Sequence, residues 1–473
     1  MSRSLVIVVA LWFPLPAWAA GTGDPIAPVI LGVTLIIAFA LLGRYLARRL
    51  GQPSVMGELI MGILLGNLLY FFGVDFITVL REGTAVFDIV ERALAGQSWE
   101  AAAAEVLPAD KAGEILAILQ GPGGADILHV VQAVDLFSRY GVIFMLFLVG
   151  LETSLQELRR VGSDSVRVAL IGVAAPFVLG FATALVLLPE KSLDTDLFIA
   201  AALCATSVGI TARVLRDLNQ HRSPEAHVIL GAAVMDDVLG LVILTIVSGI
   251  VVTGGLDLGH ISETVLKAAL FLAGALWLGP AFLRAVIHLM RRMALVEAKL
   301  FVSFLFVMLL AWLANLAGLA TIVGAFAAGV ILHDGYFQAW HERGGGQRPF
   351  SIQELVAPLE AVLAPVFFVL MGIQVKVETF LDLQVVLLAL GLLLAAVVGK
   401  LASGWGAAAP ANRWAIGLGM MPRGEVGLIF ASIGKGLGVI DDALFASVVL
   451  LVIITTLITP PALKRCYASS SRV

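Results

Sequence analysis

Apolar residues run along this chain in stretches of about twenty, parted by short polar segments, the pattern of helices that cross roughly 30 Å of hydrocarbon. Thirteen such spans are predicted, at about 26–46, 53–72, 131–151, 166–188, 195–217, 225–250, 263–283, 299–316, 319–334, 355–375, 383–405, 413–434 and 441–463. Residues 73–130 break the rhythm with nine acids and three bases. Stretches such as Phe87-Asp88-Ile89-Val90-Glu91 have the spacing of short amphipathic helices, so this acidic insert is predicted to lie outside the membrane. It reads as a solvated addition, with gating and dimer contact as the other roles open to it.

Thirteen spans divide into two six-helix units, one to six and eight to thirteen, joined by the seventh. An offset of seven forces the units into opposite orientations, and inverted repeats of this kind mark secondary transporters with a site near mid-depth where corresponding helices are interrupted. Spans five and twelve are such a pair. Span five holds Ala205, Thr206, Ser207, Gly209 and Thr211, whose hydroxyls and glycine loosen the helical ladder. Span twelve holds Met421-Pro422-Arg423-Gly424-Glu425, where proline removes a donor and glycine relaxes the chain.

Composition agrees with the pattern: 60% of the 473 residues are hydrophobic and 14% charged, with mean hydropathy +1.01. The fold class is an all-α polytopic membrane protein whose first partner is the lipid bilayer. Thirty Lys and Arg against 34 Asp and Glu give no basic excess, so nucleic acid is not an expected partner. Cys204 and Cys466 are the two cysteines, too few for a disulfide framework or a thiolate metal site. Residues 1–19 resemble a signal peptide ending in Ala17-Trp18-Ala19, the alternative being an uncleaved anchor that adds a helix. With the mature N-terminus outside, nineteen Lys and Arg fall in inner segments, including Arg44, Arg48, Arg49, Arg284 and Lys299. The outer segments hold seven: Arg81, Arg92, Lys111, Lys191, Lys267, Lys376 and Lys435. This asymmetry predicts N-out, C-in, with residues 464–473 as a short cytoplasmic tail.

Carboxylates at mid-helix cost about 2.5 to 3.5 kcal/mol on insertion scales, so Asp236-Asp237 in span six is the sharpest chemical signal. The two lie about half-way through the span and point about 100° apart, so one can meet a protein cation while the other faces water. Lys400 in span eleven is the candidate cation, with snorkelling to a near boundary as the competing reading. Arg423 and Glu425 read either as a structural ion pair across the break or as groups that handle the ion. Glu58, Glu152 and Glu360 lie near inner boundaries and read as interfacial, as do His288 and His333. Gly62 and Gly66 form a small-xxx-small pattern that predicts close helix contact, with a dimer seam as one use.

Together these strings, with Phe147-Leu148-Val149-Gly150-Leu151-Glu152, Gly324-Ala325-Phe326-Ala327-Ala328-Gly329 and the run from 367 to Gly372, resemble the monovalent cation:proton antiporter superfamily, in its cation:proton antiporter-2 branch of bacterial sodium/proton exchangers. The resemblance covers about 26–463. It implies that Asp237 carries sodium and protons, that Asp236 pairs with Lys400, and that Thr206 and Ser207 help to coordinate the ion. It also implies a moving core with crossed broken helices, a dimerisation domain and a homodimer in the bacterial inner membrane. Sodium would bind through Asp237 and Asp236, and no cofactor or enzymatic activity is expected. Members resembling glutathione-gated potassium efflux systems carry Gln-Asp and a cytosolic nucleotide-binding domain; Asp-Asp and a short tail favour sodium here. Proton and sodium would compete for one carboxylate and exchange by alternating access, electrogenically if Lys400 also yields a proton. A potassium/proton antiporter and a sodium-coupled solute symporter on a related inverted repeat are the alternatives.

Overall fold

The computed structural model describes residues 24, 26–83, 85–152, 162–207, 210, 211, 214, 215, 218, 220, 223–253, 258–290, 293–337, 350–408 and 411–470. The expected signal peptide and the last three residues of the tail lie outside them. Among the described residues there are eighteen α-helices and no strand. Ten are long and apolar enough to cross a membrane: α1 (Ile26–Arg49), α2 (Ser54–Phe71), α7 (Gly124–Glu152), α8 (Ser163–Leu187), α10 (Pro224–Thr253), α11 (Leu258–Leu289), α12 (Leu295–Leu316), α14 (Ile352–Ile373), α15 (Leu383–Ser403) and α18 (Asp442–Ser470).

The other three expected spans differ from uninterrupted helices. Only α13 (Thr321–Ile331) forms in 319–334, and eleven residues reach about 17 Å at roughly 1.5 Å per residue. Span five is helical as α9 (Leu193–Ala202), then leaves the helix through 203–207. Span twelve is α16 (Arg413–Gly419) and α17 (Glu425–Gly436), with 420–424 non-helical between them. Polar caps start α9 and α16: Ser192 Oγ accepts from Thr195 N–H and Asn412 Oδ1 from Ala415 N–H.

Packing repeats with the seven-span offset. The contact of α1 with α2 is matched by α12 with α13, that of α2 with α14 by α13 with α7, and that of α8 with α10 by α15 with α18. Glycines make the second of these pairs possible. A Cβ on Gly62 would lie 2.2 Å from the Val369 carbonyl oxygen, and one on Gly372 2.3 Å from that of Leu59. In the matching contact a Cβ on Gly150 would lie 2.3 Å from the Phe326 oxygen, and one on Gly329 2.1 Å from that of Phe147. Gly66 likewise packs on Ile373. The Gly62 and Gly66 pattern therefore serves close approach within the chain, not a seam with a second copy.

Two bundles result. The flanking bundle (α1, α2, α7, α11 to α14) has a core that includes Phe147, Phe306, Val307 and Ala328. The crossing bundle (α8 to α10, α15 to α18) has its own, including Val168, Ile229, Ala233 and Ile416.

The insert is not a solvated addition. It folds into α3 (Asp75–Glu82), α4 (Ala85–Leu94), α5 (Trp99–Val106) and α6 (Ala109–Leu119). Ile77, Val79, Leu80, Val86, Ile89 and Ile115 are buried in the core that continues into α7 and α14. Every residue of α3 from Ile77 to its end is buried, Arg81 and Glu82 included. Glu58, expected at the interface, is 1% exposed and accepts from Arg44 Nε at 2.7 Å, joining α2 to α1.

Candidate ion site at the crossing of two broken helices

Leaving a helix frees backbone groups that must find partners in a medium without water. Here each break supplies the other. The Ser207 N–H donates to the Pro422 carbonyl at 3.0 Å. Thr206 Oγ1 donates to the Met420 carbonyl at 3.2 Å and Thr211 Oγ1 to that of Gly419 at 2.8 Å. In return the Arg423 guanidinium donates through Nη1 to the Ala205 carbonyl. The approach is close enough that a Cβ on Gly424 would meet Ser207 Oγ at 2.7 Å.

α18 completes the second break. Thr455 Oγ1 accepts from Arg423 N–H at 3.3 Å, and Thr456 Oγ1 donates to the Arg423 carbonyl at 2.7 Å. These two threonines lie about as far along α18 as Asp236-Asp237 lie along α10, so the repeat places hydroxyls in one half where the other has carboxylates. Sequence reasoning passed over them because threonine is common in apolar helices; their position in the repeat was the available signal.

Lys400 does not snorkel. It is fully buried, as is Asp236, and its Nζ donates to both Asp236 oxygens at 3.1 Å. Small residues make room: a Cβ on Gly172 of α8 would lie 3.6 Å from Nζ, and Gly399 lets α15 approach Pro176 with only 2.7 Å for a Cβ. Asp237, one position on, is 5% exposed. Arg423 is also fully buried. Two carboxylates and two cations thus gather where the breaks cross.

The expected roles sort as follows. Asp236 and Lys400 are together; Thr206 and Ser207 are buried in the crossing, Thr206 spending its proton on a carbonyl and retaining its lone pairs. Ser207 Oγ accepts from the Ile210 N–H at 3.4 Å. Arg423 turns to a backbone carbonyl, and the side chain of Glu425, like residues 208 and 209 of the first break, lies outside the described residues.

Two openings of different size lie on either side of the crossing. On the face that carries the insert, a cavity of about 470 Å³ opens between α7, α13 and α14 on one side and α17 on the other, lined by Asp135, Arg139, Gln374, Ser432 and Lys435 among others. Ile429, the lining residue of α17 nearest Gly424 along the chain, is about one and a half helical turns from it. On the opposite side of the crossing, Met56 and Leu59 of α2 close against Arg423 and Thr456, leaving a cleft of about 10 Å³. A single water needs about that much or more. Of these two openings among the described residues, the one toward the insert face is the larger.

Residues 111–466 match the family described as sodium/hydrogen exchanger, transmembrane. The chain is 34% identical to the high-affinity Na(+)/H(+) antiporter NhaS3 of Synechocystis sp., covering 98% of this chain and 95% of that protein. It is 31% identical to the Na(+)/H(+)-K(+) antiporter GerN of Bacillus cereus, covering 93% and 96%. Among solved structures, the sodium proton antiporter MjNhaP1 of Methanocaldococcus jannaschii superposes with a TM-score of 0.61 at 16% identity, over 93% of this chain and 97% of that one. That likeness is one of fold.

Proposed function

The chain belongs to the sodium/hydrogen exchanger family, and from that premise we propose that Asp237, beside the buried Asp236–Lys400 pair, carries sodium and protons by turns across the membrane. The protein is a multi-span sodium/proton antiporter, a transporter and not an enzyme. Sodium and protons are its substrates.

The observation that carries the site assignment is a salt bridge with no solvent exposure on either partner, placed at the crossing and next to a second carboxylate. Burying a charge is costly unless it is paired and hydrogen-bonded, so Lys400 commits Asp236 to a fixed geometry. Asp237 offers a hard oxygen ligand to a hard cation, and sodium binds only the deprotonated carboxylate. A proton on that carboxylate and a sodium ion exclude each other. If only loaded forms let the crossing bundle slide past the flanking bundle, a proton gradient drives sodium the other way with no chemical energy source. The lone pairs of Thr206 and Ser207 add oxygen ligands. Lys400 yields its proton when the cation draws Asp236 away, so two protons move per sodium ion and the cycle is electrogenic.

The transport domain is 26–463, in the inner membrane of a bacterium, with the insert outside and the C-terminus in the cytoplasm. The excess of Lys and Arg in the predicted inner segments supports that orientation. The flanking bundle joins two copies into a homodimer. Potassium in the name of the 31% identical Bacillus relative favours a second reading, in which potassium is also accepted.

The test is proton movement in sealed vesicles from a strain without its own exchangers, adding sodium, lithium or potassium. Sodium-evoked movement that Asp237→Asn abolishes, in protein shown to be inserted, is the expected result. Retention of exchange by that variant would overturn the role of Asp237. Insensitivity to membrane potential would overturn the electrogenic cycle.

A further inference from the structure

An ion network outside the crossing ties the insert to the turn between α17 and α18. Lys376 follows the end of α14 and holds two carboxylates at once, Glu82 of α3 at 2.9 Å and Asp442 of α18 at 2.6 Å. Asp442 also holds Lys435 of α17 at 2.8 Å. We infer that this network is a conformational latch, in which Lys376 fastens the crossing bundle to the insert and holds the insert-face cavity open. The inference rests on the antiport reading, because a latch acts only where two bundles move past each other.

One end is fixed to the flanking bundle. The Arg81 guanidinium, 2% exposed, bonds Glu378 at 2.6 Å and Asn67 of α2 at 3.3 Å, and lies 4.0 Å from the Tyr70 ring centre. The Asn67 amide donates to the Val375 carbonyl at 2.9 Å and accepts from Val377 N–H at 3.1 Å. Glu82 and Lys376 are therefore anchored on either side by α2. The other end belongs to the crossing bundle. Thr195 Oγ1 of α9 donates to the Val439 carbonyl at 2.9 Å, and Lys191 bonds Asp441 at 2.9 Å, binding the turn to the segment before α9. Gly438, at φ +73°, makes that turn possible.

Besides these ion pairs, the turn Val377–Leu381 packs on α15 and α18, and apolar contacts join the bundles through a shared core that includes Val375, Ile440 and Leu444. Where the cavity parts them, Gln374 and Lys435, beside the latch, stand on its two walls. Movement that closes the cavity must carry Asp442 and Lys435 relative to Lys376 and Glu82. The Lys376 and Glu82 side chains are 10% and 7% exposed, so a broken latch leaves charges short of water as well as of partners. Two acids and two bases balance while the latch is closed. Burial works against the Lys376 charge, but Asp442 and Glu82 outweigh it and raise its pKa above the ordinary lysine value. The ammonium therefore stays charged across neutral and moderately alkaline pH.

The test reads conformation without transport. Ser432→Cys places a thiol in the cavity, in a full-length chain carrying Cys466→Ser, and a membrane-impermeant maleimide is added on the insert side. Lys376→Gln, Glu82→Gln and Asp442→Asn are each expected to slow labelling at least threefold, by moving molecules out of the open state. Lys376→Arg should restore the parent rate, and Lys191→Gln, which breaks a pair within the crossing bundle, should not change it. Equal labelling rates in parent and all three neutralised variants would overturn the latch. Should those variants not insert, Glu82→Cys with Asp442→Cys, joined by a flexible bis-methanethiosulfonate reagent that forms two disulfides with loss of methanesulfinate, is expected to stop exchange until dithiothreitol cleaves the link; unimpeded exchange through the cross-link would overturn it as well. Absence of exchange in the parent counts against the antiport reading, while the labelling result still decides the latch.

Discussion

The crossing and the insert-face latch hold the same inventory, two carboxylates and two cations, and use it in opposite ways. At the crossing Lys400 gives both of its bonds to one acid, Asp236, and neither partner touches solvent. On the insert face Lys376 divides itself between Glu82 and Asp442, at the rim of a cavity, with Asp442 33% exposed. A cation committed to a single acid fixes that acid and keeps it distinct from its neighbour Asp237. A cation shared between acids on two bodies joins the bodies. Charge type is common to both; placement relative to the two bundles decides whether the group carries cargo or holds position.

The comparison can be broken most forcefully at its buried end. Asp236→Asn leaves Lys400 without its carboxylate in a solvent-free site and should cost about 3 to 5 kcal/mol, read as a large fall in melting temperature of the detergent-solubilised protein. The double change Asp236→Asn with Lys400→Met should melt nearer the parent than the single change does, since the stranded charge is gone. Thr456→Val strips the Arg423 carbonyl of its donor and should cost about 1 to 3 kcal/mol by the same measurement. Lys376→Gln should destabilise less than Asp236→Asn, and the latch should weaken in 1 M salt, where screening acts over only about 3 Å, while the Asp236–Lys400 pair keeps its strength. Melting against pH sharpens this. A lysine whose folded pKa is raised contributes its stability in full below about pH 10.4 and loses it as pH climbs through the raised value, so the parent's advantage over Lys376→Gln should hold to about pH 10 and fade above. Smallest of all, Lys191→Gln breaks a pair whose side chains are 43% and 44% exposed and should move stability by no more than about 1 kcal/mol.

The fold was legible wherever the sequence reports the surrounding solvent. Long apolar runs mark helices in lipid, and Pro422 beside Gly424 marks a break because proline and glycine alter the backbone itself. Asp236, Asp237 and Lys400 stood out because charge in that medium has a known cost. What stayed hidden depends on partners far along the chain. The insert looked solvated because its acids dominate its composition, yet Glu82 meets Lys376 across 294 positions and Arg81 meets Glu378 across 297. α13 looked like a span because Leu319, Ala320 and Leu332 at its ends are as apolar as its middle. Thr455 and Thr456 were silent for a similar reason: a hydroxyl that satisfies a neighbour's backbone has the same letter as one that satisfies its own helix.

The crossing also bears on which letters descendants of this sequence can change. Most of its bonds are received by main-chain carbonyls, at 205, 419, 420 and 422, which every amino acid provides, and Ser207 gives through its main-chain N–H. The inherited constraint on holding the two breaks together therefore concentrates in three donors, Thr206, Thr211 and Arg423, with Gly424 required for the close approach. Met420 and Met421 are free to drift among side chains of similar volume, and a lineage could rewrite much of the second break's spelling while keeping its geometry.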